Sequence, residues 1–200
     1  MKLLVKIIFF FFLITSQLKA SNASDWLKLE IDNILNAYKN ESISSVEQFI
    51  FIENTINQNF AGAGIAKFVA GKAWTTADKE TKQNYITLFK HHLALNIASM
   101  MQGYSNQTYS LIASKKDETN NVHLIDMEIL DKTNKILITW RVKELKDRFY
   151  VIDLIVADIS LVVTKRSEFN SMLKKIDYDL KSFNETLQKQ NILSYNKLMQ

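Results

Sequence analysis

Residues 136–169, reading ILITWRVKELKDRFYVIDLIVADISLVVTKRSEF, constrain the fold more than any other stretch. Two runs rich in β-branched and aromatic residues are parted by a short charged turn at Lys146-Asp147. Runs of this composition favour strands. So short a connection joins antiparallel neighbours, because a parallel crossover needs about a dozen residues or more. A third apolar segment follows at once and ends Lys165-Arg166-Ser167-Glu168-Phe169. The stretch holds no catalytic triad and no metal set. It offers a wide apolar surface bounded by charges, which serves as core, as binding wall, or as both.

Two further strands precede it, at 108–113 and 122–130. A turn over 131–135 leads into the third strand, 136–144, and Lys146-Asp147 leads into the fourth, 149–157. Together they predict a four-stranded antiparallel meander. The second and fourth strands are apolar on both faces, which predicts either cover on both sides or a central place in the sheet.

Helical spacing accounts for the rest. Leu27, Ile31, Ile34, Leu35 and Tyr38 recur on one face of a helix over 25–39. A second helix follows N-cap candidates at 42–45, with Val46, Phe49, Ile50 and Ile56 as apolar positions. Gly62 and Gly64 mark a break, and a short helix over 65–70 ends at Gly71. The longest helix is predicted over 77–102, capped by Thr75 or Thr76, with Asp78 and Glu80 at its positive end. Its apolar stripe is Tyr85, Phe89, Leu93, Ile97, Met100, Met101 and Tyr104. Helices over 159–174 and 177–189 close the chain, and the tail from Asn191 is predicted to fray. The fold class is α+β, with about six helices.

The N-terminus reads as a signal peptide: a basic start, an apolar run over 7–14, then small residues. Cleavage is placed after Ala23, with Ala20 as the alternative. This gives a signal peptide over 1–23 and one domain over 24–200. The apolar run is shorter than the roughly 20 residues that span a bilayer. An uncleaved anchor on a tethered adaptor is the competing reading. Cleavage removes Lys2, Lys6 and Lys19 and no acid, so 25 basic residues fall to 22 against 21 acidic ones. The mature chain is therefore nearly neutral, which removes the argument for a nucleic-acid partner. With no cysteine, thiol nucleophiles, thiolate ligands and disulfides are excluded. An exported chain of this kind must draw its stability from its core.

Catalytic signatures are weak. Gly62-Ala63-Gly64 lacks the third glycine and the preceding strand of a nucleotide loop. Gly71-Lys72 lacks the other residues of a phosphate-binding loop. His91 and His92 point about 100° apart on a helix, and His123 and Asp126 fall on opposite faces of a strand. No metal site or cofactor is expected. With an even turn at Lys146-Asp147, Ile138 would oppose Ile155, Trp140 would oppose Asp153 and Val142 would oppose Val151. The Trp140 N–H is then a candidate partner for Asp153, making that carboxylate a structural lock on strand register. An enzyme using His123 or Asp153 as acid or base is the alternative.

The order of these motifs resembles the MlaC family of periplasmic phospholipid-binding proteins, also called toluene-tolerance proteins. The resemblance rests on Trp140-Arg141, on residues 152–162 (IDLIVADISLV), on Thr164-Lys165-Arg166 with Phe169, and on Gly71 to Ala77 (GKAWTTA). The spacing of Phe89, Leu93, Tyr104 and Gln107-Thr108-Tyr109 agrees, and the likeness covers about 45–190. Asp158 stands where the family has Gly, Ile97 where it often has Tyr, and Ala61 where Asp is common. The resemblance implies an NTF2-like or cystatin-like α+β fold around an apolar lipid pocket. It implies a soluble, non-enzymatic carrier moving phospholipid between outer and inner membranes. Its implied partners are an inner-membrane ABC lipid-transport complex and an outer-membrane lipoprotein complex. On this reading Phe89, Leu93, Ile97, Met101, Tyr104, Ile138, Trp140, Val142, Val151, Ile155, Ile159, Leu161 and Val162 touch the lipid.

Overall fold

The structure is a computed structural model that describes residues 22–39, 42–102, 107–131, 134–146 and 148–200. Tyr104 and nearly all of the signal segment lie outside the described residues. Five helices come first: α1 (Ala23–Lys39), α2 (Ser45–Asn59), α3 (Gly62–Ala70), α4 (Lys72–Thr76) and α5 (Lys79–Met101). The strands follow: β1 (Thr108–Asp117), β2 (Val122–Asp131), β3 (Asn134–Leu145), β4 (Arg148–Val156) and β5 (Ile159–Ser160). Helices α6 (Leu161–Lys174) and α7 (Leu180–Leu198) close the chain. The strands form one antiparallel sheet in the order β1-β2-β3-β4-β5.

The α+β class and the meander hold, with five strands where the sequence predicts four. The extra strand is Ile159–Ser160, which pairs back on β4 and delays the start of α6 to Leu161. The two-residue turn before it puts Ala157 at φ 47° and Asp158 at φ 64°. Asp is among the few side chains that enter this left-handed region at low cost.

Register departs from the even pairing. Val142 opposes Val151 as expected, but Arg141 opposes Asp153, Trp140 opposes Leu154 and Thr139 opposes Ile155. Ile152 is an extra residue, and one bulge residue swaps the faces of everything beyond it. Asp153 and Ile155 therefore share the outer face with Arg141 and Thr139. Leu154 and Val156 turn inward instead.

The helices form one side of the molecule, not both. On the outer face of the sheet Leu130 and Leu137 stay 37% and 45% exposed, so cover on both sides is not found; β2 and β4 take the other expected arrangement, each lying between two neighbouring strands. The main core joins α2, α3, α5, α6 and α7, with Tyr85, Phe89, Phe169 and Phe183 at its centre. Phe169 and Phe183 meet edge to face at 4.9 Å, and each such ring contributes about 2–3 kcal/mol by burial. Asn184 and Asn191 on α7 donate to the Thr81 and Leu88 carbonyls of α5, at 3.1 and 2.9 Å. These bonds and the burial of Leu198 carry α7 well past Asn191, so the expected frayed tail is ordered helix.

Two helix starts also differ from expectation. The break after α2 falls at Phe60-Ala61, and both glycines lie inside α3. A Cβ at Gly62 would stand 2.9 Å from the Lys90 side chain, so close packing on α5 explains that glycine. The predicted long helix starts at Lys79, behind a separate short helix α4, and Asp78 caps it by accepting from the Thr81 N–H at 2.8 Å. The Asp78 carboxylate takes the N-cap place expected of Thr75 or Thr76, whose hydroxyls donate to carbonyls of α4 instead.

Candidate ligand-binding cavity

Helix α1 creates the space. Asn22 starts it, its Oδ1 accepting from the Asp25 N–H at 2.9 Å. Ala23, Leu27 and Ile31 then recur every fourth residue and bury against Ile125, Met127 and Val142 of the sheet. Trp26 packs on Phe149, with ring centroids 5.7 Å apart. Further along, Ile34 and Leu35 pack at the edges of the two cores and also face an opening.

That opening is a cavity of about 360 Å³, within the range of roughly 300–1,000 Å³ usual for small-molecule sites. One face of α1 lines it through Trp26, Leu27, Glu30, Ile31, Ile34 and Leu35. Helix α2 adds Ile52, Thr55, Ile56 and Asn59, and the end of α5 adds Ile97, Met100 and Met101. The sheet supplies Tyr109, Met127, Ile129, Ile136, Ile138, Trp140, Val151, Leu154 and Val156, and α6 supplies Leu161. Glu30 is the one charged side chain in this wall among the described residues. Its Oε2 accepts from Asn59 Nδ2 at 2.6 Å. Burial raises the Glu30 pKa and the Asn59 bond partly offsets the rise. The Thr55 hydroxyl is satisfied within α2, donating to the Phe51 carbonyl at 3.0 Å.

The structure brings together Ile97, Met101, Ile138, Trp140, Val151 and Leu161 of the residues predicted to touch ligand. Six others stand elsewhere. Phe89 is buried beside Tyr85 and Phe169 in the helical core, where Leu93 and Val162 also pack. Val142 is sealed under α1. The bulge turns Ile155 outward, opposite Thr139. Ile159 opposes Val156 but is 60% exposed and does not reach the wall. The largest omission is α1. Its apolar spacing is visible in the sequence but is equally that of an ordinary core helix. Met127 and Ile129 were hidden because Leu124 and Leu130 make the alternate face of β2 apolar too.

Asp153 is structural, but with other partners than expected. It accepts from the Ser160 hydroxyl at 2.7 Å and the Val162 N–H at 3.1 Å, and lies 3.5 Å from Arg141. The Trp140 indole N–H has no hydrogen-bond partner among the described residues. Asp153 thus fixes the β4–β5–α6 junction, and through it the position of Leu161. His123 sits 3.4 Å from Glu144 with its ring edge-on to Phe149. Neither His123 nor Asp153 lines the cavity. Among the described residues no group of three or more His, Asp or Glu side chains is placed to hold a metal ion.

A family model for the MlaC protein matches residues 30–191. The chain belongs to the MlaC family. Its fold is similar to that of the phospholipid-binding protein from Ralstonia solanacearum, solved in complex with a phospholipid. The two share 16% identity at a TM-score of 0.74, over 86% of this chain and 98% of the other. At that identity the likeness speaks to the fold. No curated protein matches the chain. Among the described residues no helix is long and apolar enough to cross a membrane.

Proposed function

We propose that this MlaC-family chain is a periplasmic phospholipid carrier. It takes acyl chains into the cavity between α1, α2 and the sheet, and leaves the headgroup at the surface. The observation that carries this reading is an apolar cavity of about 360 Å³ whose wall holds one charged side chain among the described residues. A tail crossing water exposes its methylenes at about 0.8 kcal/mol each, or about 13 kcal/mol for roughly sixteen of them. A dry wall of Ile, Leu, Met and Val removes most of that cost without any chemistry. Loading and unloading then require a donor and an acceptor at the two membranes, an outer-membrane lipoprotein complex and an inner-membrane ABC complex. The signal segment delivers the chain to the space between them.

Native mass spectrometry of the exported, processed protein tests the proposal. The expected spectrum carries adducts with the mass of phospholipid, and lipid-free protein regains them from liposomes. Protein that emerges without phospholipid and takes none up would refute it.

A further inference from the structure

Glu30 is an unusual residue for an apolar cavity, and one of its carboxylate oxygens is open to a further hydrogen bond. Asn59 occupies one carboxylate oxygen, and the other has no hydrogen-bond partner among the described residues. The residue is half-buried, so the carboxylate stands where the wall between α1 and α2 meets solvent. Three further features set the sign of this spot. Among the described residues the wall contains no Lys or Arg to neutralise Glu30. Asn59 is the last residue of α2, a helix of 15 residues with no basic residue in its last turn, so the negative end of the helix dipole faces the same place. Arg148 donates to the Gln58 carbonyl at 3.5 Å, which puts one guanidinium beside that helix end but outside the cavity wall. An acid in the wall and a base outside it thus flank the same end of α2.

We propose that Glu30 selects the headgroup, its carboxylate taking the ammonium of a zwitterionic aminophospholipid in preference to an anionic lipid that carries no cation. The phosphate of the same headgroup then lies on the outer side, toward Arg148. An anionic headgroup would bring a second negative charge to Glu30 with nothing in the wall to offset it. The inference rests on the carrier reading above. A charge-assisted contact at a half-exposed site predicts a preference of about two- to fivefold.

The experiment exchanges exported, processed protein to equilibrium with excess vesicles of equal parts phosphatidylethanolamine and phosphatidylglycerol. The protein is then re-isolated and its extracted lipid quantified by mass spectrometry. Wild type is expected to hold phosphatidylethanolamine about two- to fivefold above the vesicle ratio. Glu30→Gln keeps an oxygen for the Asn59 amide and removes the charge, so its lipid should return to the vesicle ratio. Glu30→Lys should favour phosphatidylglycerol. A wild-type ratio equal to that of the vesicles, or full enrichment surviving in Glu30→Gln, overturns the selection while leaving the carrier reading in place. Wild type that holds no lipid overturns both. Should Glu30→Gln fail to fold, the wild-type ratio together with Glu30→Ala decides the question.

Discussion

Bulk added at Ile138 separates a cavity from a core. Ile138 lies between Met127 and Val156 on the inner face of the sheet and lines the cavity. In a packed interior, Ile138→Trp would force rotamers and backbone apart at about 1–3 kcal/mol. In an open cavity the indole has room, so lipid-free Ile138→Trp should melt no lower than lipid-free wild type. Its cost should appear in binding instead. An indole that displaces roughly three methylenes of a tail removes about 2.4 kcal/mol, which is about a fiftyfold loss of affinity. Ile159→Trp is the control, because Ile159 is 60% exposed and outside the wall; it should load as wild type does. The assay is uptake of a fluorescent phospholipid from vesicles, read beside thermal unfolding of the lipid-free proteins. Normal loading by Ile138→Trp, or equal loss in both variants, would show that this space does not hold the tails.

Four further outcomes follow from local geometry. Burial, aided by the nearby positive Lys165, holds His92 near a pKa of about 4 instead of 6.5. The unfolded chain therefore binds the extra proton first, and stability falls as pH drops from about 6.5 to about 4, by about 3 kcal/mol in all. Urea melts should show wild type losing that much more than His92→Gln over this window, and parallel profiles would refute the assignment. Asp153→Ala should cost about 3 kcal/mol by stripping the Ser160 hydroxyl and Val162 N–H of their acceptor; a change under 1 kcal/mol in denaturant unfolding would refute that role. Ala157→Gly should gain about 0.5–1 kcal/mol by relieving φ 47°, and a loss in the same measurement would show that the Ala157 methyl matters more than its backbone. Exported protein should begin at Ser24, or at Ser21 on the alternative cleavage, and only the Ser21 start keeps the Asn22 cap, worth about 1 kcal/mol, and a methyl that is 1% exposed. Intact-mass measurement decides this, and an unprocessed chain would refute it.

Much of the fold was legible because its signals are local. Alternation and short turns marked four of the five strands, and Leu27, Ile31, Ile34 and Leu35 marked α1. What failed depended on distant partners. Ile152 carries no mark of a bulge, yet its one-residue slip moved Asp153 and Ile155 to the outer face and brought Leu154 and Val156 inward. Gly62 signals a break in sequence and close approach of Lys90 in space. Phe89 and Ile97 lie on one predicted stripe of α5, but only Ile97 reaches the cavity, because α7 and α6 cover the earlier turns. An apolar side chain beside a void has the same sequence signature as one in a core, so α1 could be recognised as a helix but not as a wall.

The void persists because α1 is fastened unevenly. Exposure of its inner face rises along the helix, from 1% at Ala23 and Leu27 to 7% at Ile31, and Ile34 and Leu35 are only half-buried. Its first two turns are clamped to the sheet by apolar contact. Farther on, the half-buried Ile34, Leu35 and Tyr38 pack at the core edges, and polar ties join them, from Tyr109 Oη to Asp32 at 2.5 Å and from Asn59 to Glu30 at 2.6 Å. Hydrogen bonds of this kind hold direction at a net value of only about 0.5–1.5 kcal/mol each, whereas close packing resists any change in volume. The helix is thus a wedge, packed tightly at its thin end and more loosely where the cavity is wide. On the proposed carrier reading, a ligand would press on the Ile34 end and leave the Ala23–Val142 clamp in place. Such a division lets a stable fold surround an open space.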